Sequence, residues 1–120
     1  MWLIAQWFRA FAWTLGIELC VAGFWLRGTL PLGRRLSLIA IVNVATHPAV
    51  WLIFPELGAG LGWSSLATLT LSEVWAFGFE AWAYWVFLGT GKQRTAIATS
   101  VAANAASLGL GFLLRARGWV

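Results

Sequence analysis

Four long apolar runs, separated only by short turns, constrain this chain more than any other feature of its sequence. A helix rising about 1.5 Å per residue needs roughly 20 such residues to cross the hydrocarbon core of a bilayer. Windows of that kind fall at approximately 2–26, 36–54, 61–88 and 96–114. The breaks between them carry helix-ending residues. Pro31 and two glycines interrupt the turn Arg27-Gly-Thr-Leu-Pro-Leu-Gly-Arg-Arg35, Pro55 and Gly58-Ala-Gly60 close the second run, and Gly89-Thr-Gly-Lys-Gln-Arg94 divides the last two. The expectation is an all-α integral membrane protein, a four-transmembrane-helix bundle filling 1–120 as a single membrane domain. Charge content agrees, at 10% against about 25% for a soluble domain. A lone cysteine, Cys20, excludes an intrachain disulfide and any cysteine-rich metal site.

The basic residues give an orientation. Arg27, Arg34 and Arg35 lie in the first turn and Lys92 and Arg94 in the last, whereas the middle loop carries only Glu56. By the positive-inside rule both basic turns face the cytoplasm, and the termini and middle loop lie outside, in a plasma (inner) membrane. The net charge of +4 therefore marks topology instead of a nucleic-acid patch, and the expected partner is the lipid bilayer. Arg9 lies near the outer end of the first run and is read as snorkelling. Trp25 and Trp85 near the inner boundary, and Trp2, Trp51, Trp63 and Trp119 near the outer one, read as aromatic belts. The N-terminal run has no basic leader and no small-residue cleavage site, which reads as a retained span and not a signal peptide.

Within this hydrocarbon background, Asn43-Val-Ala-Thr-His-Pro48 gathers an amide, a hydroxyl, an imidazole and a proline. Polar groups in lipid are costly unless paired, so ionisable residues there are default candidates for function. Glu18, His47, Glu73 and Glu80 are four such residues. Helical rise places Glu18, Asn43, Glu80 and Asn104 at nearly one depth, roughly 10 to 12 Å from the inner boundary. Every helix contributes one member to this layer.

The same residues suggest a duplication. Glu18 precedes Asn43 by 25 positions and Glu80 precedes Asn104 by 24, and each Asn is followed three residues on by a hydroxyl, Thr46 or Ser107. The expected unit is a helical hairpin present twice, in 1–57 and 61–117, the two copies related by a pseudo-two-fold axis along the membrane normal. A neutral carboxyl both donates and accepts, and an Asn amide matches it in both roles. Interhelical hydrogen bonds that fix register are the plain structural reading of this layer. The residues that break the repeat carry more information: His47 aligns with Leu108, and Glu73 with Phe11. Glu80, His47 and Glu73 are expected to form a ladder of proton-exchanging groups, with Tyr84 one turn inward. Thr99, Ala103, Ser107 and Gly111 make a small-residue stripe that suits packing inside the bundle or, as an alternative, a homodimer seam.

Three functions follow from these residues. Proton or small-cation transport uses the ladder and the repeat, and four short helices enclose so little volume that a dimer or a very small substrate is implied. Size, a four-span layout and Glu18 in Gly16-Ile-Glu-Leu resemble the small multidrug-resistance transporters, although Thr46-His-Pro48 and the second-half glutamates have no place in that pattern. A structural or assembly subunit of a larger membrane complex fits the ten Trp and tiny loops. An intramembrane hydrolase is the third reading: the CPBP-type membrane proteases use similar residue types, but as paired glutamates followed by histidines. No catalytic residue, cofactor site or metal site is assigned, since one His is few for zinc and no serine, cysteine or phosphate-loop motif competes.

Overall fold

The computed structural model describes residues 2–119; residues 1 and 120, the first and last of the expected domain, lie outside the described residues. The described chain is all-helical. Its elements are α1 (Trp2–Trp25), α2 (Leu32–Pro48), a π-helical turn (Ala49–Ile53), α3 (Phe54–Leu61), α4 (Ser65–Leu88) and α5 (Gln93–Ala116). Helix α1 packs on α2 and α5, and α4 packs on α5, α2 and α3, so the long helices form a closed ring. Two stretches, Leu32–Leu61 and Gln93–Ala116, are long and apolar enough to cross a membrane. Helices α1 and α4 are 24 residues each but carry Arg9 and Glu18, and Glu73 and Glu80, among their apolar residues.

The second helical stretch departs from expectation. The sequence places its end at Phe54, before Pro55, yet helix continues to Leu61. Pro48 and Pro55 each lack the backbone N–H that would close an α-helical turn. The chain answers by widening: the Phe54 N–H bonds the Ala49 carbonyl five residues back, and Pro55 then falls in the first turn of α3, where no N–H is required. The true stop is Gly62, whose left-handed φ of 68° caps the helix. Ser64 starts α4 by accepting the Ala67 N–H at 3.1 Å. At the other end of the bundle, α2 begins at Leu32 and α5 at Gln93, so Arg34, Arg35 and Arg94 belong to first helical turns and not to loops.

Residue distribution is inverted relative to a soluble domain. Glu18, Asn43, Glu80, Ser100 and Asn104 are buried, while Leu3, Ile4, Phe8, Ile41, Val74 and Phe87 are exposed. The main buried apolar cluster lies at the end bearing the basic turns, where Ala22, Leu26, Leu38, Ile39, Val42, Ala83, Tyr84, Ala96 and Ala103 pack together. Most of the small-residue stripe of α5 packs inside the bundle, with Thr99, Ala103 and Ser107 all buried. Where α3 meets α4, Gly58 lies so close to Thr68 that a methyl group in its place would collide with the threonine side chain.

Candidate functional site

Above the apolar plug lies a hydrogen-bonded layer to which all four long helices contribute. Asn43 Nδ2 donates to Glu18 Oε2 at 2.8 Å and to the Ile39 carbonyl at 3.0 Å. Asn104 Nδ2 donates to Glu80 Oε2 at 2.5 Å and to the Ser100 carbonyl at 3.0 Å. In each case the second bond runs one helical turn back and holds the amide against its own helix. The remaining carboxyl oxygens are served from the opposite hairpin: Ser107 Oγ donates to Glu18 Oε1 at 3.0 Å, and Thr46 Oγ1 to Glu80 Oε1 at 3.1 Å. Thr46 and Ser107, expected as structural companions of the asparagines, thus bridge α2 to α4 and α5 to α1.

This layer is the floor of a cavity of about 600 Å³. The cavity rises from Glu18, Asn43, Glu80 and Asn104 between the helices to Trp63 and Arg115, at the end opposite the basic turns. One wall is polar, with Ser65, Thr68, Ser72 and Glu73 on α4; aromatic side chains Trp13, Trp51 and Trp63 face into the same space. Asn43 and Asn104 both line the cavity, and neither Oδ1 accepts a hydrogen bond from the described residues. Glu73, half-buried, lines the cavity without a hydrogen-bond partner among the described residues.

The expected ladder is not built as a chain of hydrogen bonds. His47 lines the same cavity, but its ring sits edge-on to Phe11 at 5.1 Å, stacks on Trp51 at 6.0 Å and tilts against Trp7 at 5.9 Å. Its Nδ1 is sealed and without a partner. The physical reason lies in the packing of α1 on α2, which sets the His47 ring against Phe11 and Trp7. Tyr84 is fully buried in the apolar plug, outside the cavity, with its hydroxyl unpartnered. No group of three or more His, Cys, Asp or Glu among the described residues could hold a metal ion, so His47, Glu73 and Glu80 do not converge on one.

Sequence reasoning missed the cavity walls. Trp51 and Trp63, expected in an outer belt, line the cavity, as does Trp13. A readable signal existed: Ala10, Thr14 and Glu18 on α1, and Thr68, Ser72, Ala76 and Glu80 on α4, recur at four-residue spacing and so mark one small or polar face. The volume also corrects the expectation that four short helices enclose little space. Comparison of the chain with protein-family models, curated proteins and solved structures finds no match.

Proposed function

We propose that the chain is an integral membrane protein of four spans that moves a proton or a small cation by way of the two-carboxyl floor. The observation that carries this reading is the placement of Glu18 and Glu80, both 1% exposed, on the floor of a cavity with mixed polar and apolar walls inside a molecule whose exterior is largely apolar. Lipid is the solvent that accommodates such an inverted distribution, and buried carboxyls in it mark ion or proton pathways. In the proposed orientation the basic turns are cytoplasmic, the cavity opens outward, and the apolar plug around Tyr84 and Ile39 is the inner barrier that must open in a transport cycle.

We further propose that 1–57 and 61–117 are copies of one hairpin. The matched donors support this: Asn43 serves Glu18 as Asn104 serves Glu80, and Thr46 and Ser107 cross between halves reciprocally. Transport sites commonly lie at such repeat interfaces. Those crossing bonds also favour a second reading, a subunit of a larger membrane complex in which the layer is packing glue. Reconstitution into liposomes with a pH-reporting dye separates the two. Proton or cation flux that is lost in Glu18→Gln and Glu80→Gln is the result expected of a transporter; a folded protein silent in every ionic condition, co-purifying with stoichiometric partners, selects the subunit.

A further inference from the structure

The cavity is far larger than a proton or a bare ion requires. At about 600 Å³ it holds on the order of twenty water volumes of roughly 30 Å³ each. It lies in the size range of sites for small organic molecules. The chemistry of its floor then narrows the ligand. Both hydrogens of each asparagine amide are committed, one to a carboxyl and one to a backbone carbonyl. The single hydroxyl hydrogens of Thr46 and Ser107 are each shared between a carboxyl, of Glu80 or Glu18, and a carbonyl of their own helix. What remains facing the cavity is mainly oxygen: the carboxyl groups of Glu18 and Glu80, which keep lone pairs beyond those their four donors use, and the amide oxygens of Asn43 and Asn104. All four donors to the carboxyls are neutral groups, so the floor holds no positive charge of its own.

We infer that this floor binds the primary ammonium group of a small amphipathic amine. An ammonium supplies three hydrogens and one positive charge to a floor of carboxyl and amide oxygens that holds no positive group. The body of such a ligand lies higher, where Trp13, Trp51 and Trp63 offer flat apolar surface. A quaternary ammonium carries the charge but no hydrogens and leaves the acceptors unpaired; an alcohol brings one hydrogen and no charge. The inference rests on the cation-handling reading of the same carboxyls and specifies its substrate class.

Equilibrium binding to purified full-length protein in detergent micelles, by titration calorimetry, tests it with three probes: phenethylamine, its N,N,N-trimethyl derivative and 2-phenylethanol. Saturable 1:1 binding of phenethylamine is expected, with the other two at least about tenfold weaker. Glu18→Gln and Glu80→Gln should each abolish the preference for the amine, because the isosteric amide keeps the cavity shape and cannot become the anion that pairs with an ammonium. Equal affinity for the trimethyl compound, or no saturable binding of phenethylamine by the folded wild type, overturns the inference. The probe series on the unaltered chain decides the matter even where a variant does not fold. Amine binding without ion or amine flux would leave this site standing and remove transport; proton or metal-cation flux without amine binding would do the reverse.

Discussion

Replacing Asn104 by leucine removes both amide hydrogens from the polar layer at nearly constant side-chain volume. One of them bonds Glu80 Oε2 at 2.5 Å and the other the Ser100 carbonyl at 3.0 Å. Side-chain hydrogen bonds between membrane helices average about 0.6 kcal/mol each, so two give about 1.2 kcal/mol. The strongest such bonds reach about 1.7 kcal/mol, which bounds what either one contributes alone. The expected loss is therefore about 1 to 2 kcal/mol, or roughly 5- to 30-fold in the folding equilibrium. Titration of lipid–detergent micelles with SDS, followed by tryptophan fluorescence, reads this directly. Asn43 has the same two kinds of partner, Glu18 and the Ile39 carbonyl, so Asn43→Leu should cost a similar amount. A change below about 0.3 kcal/mol in either variant, near the error of such comparisons, would refute the view that these bonds hold the layer together. So would a threefold disparity between the two.

Other expectations follow from single features. Tyr84→Phe removes a hydroxyl that has no partner in the plug, and should leave stability unchanged or raise it by up to about 1 kcal/mol in the same titration. Gly58→Ala forces a methyl into the Thr68 side chain and should destabilise by about 1–3 kcal/mol, with Gly58→Ala/Thr68→Ala, which removes the colliding hydroxyl, recovering part of the loss. Cys20, exposed on the outer face of α1 two residues beyond Glu18, should resist a water-soluble maleimide in liposomes and react once the membrane is dissolved in SDS. Ready labelling in intact liposomes would place α1 outside the bilayer.

Long-range chemistry was more legible in this sequence than local geometry. Glu18, Asn43, Glu80 and Asn104 could be placed in one layer because helical rise converts position into depth, and an all-helical chain of long runs leaves few alternatives. The crossing of Thr46 to Glu80 and of Ser107 to Glu18 could not be read, because which helices neighbour one another is a property of the assembled ring. His47 shows the same limit: depth placed it between Glu73 and Glu80, but the packing of α1 on α2 turned its ring to Phe11, Trp7 and Trp51. Pro55 was read as a stop because proline breaks helices in isolation; the π-helical turn before it supplies the extra residue that absorbs the missing donors. The tryptophans were read by their affinity for membrane interfaces, which is blind to whether a ring points at lipid or into a cavity, as Trp51 and Trp63 do.

Flux through purified protein in liposomes tests the role of the two carboxyls most directly. Vesicles carrying a trapped pH-sensitive dye, with a membrane potential set by a potassium gradient and valinomycin, should acidify or alkalinise with the sign of the imposed potential when they contain wild-type protein. Glu18→Gln and Glu80→Gln should each reduce the rate to that of empty vesicles while retaining the wild-type helical circular dichroism. Undiminished flux in the doubly substituted protein, or none in the folded wild type under proton, sodium or potassium gradients, would contradict a transport role for Glu18 and Glu80.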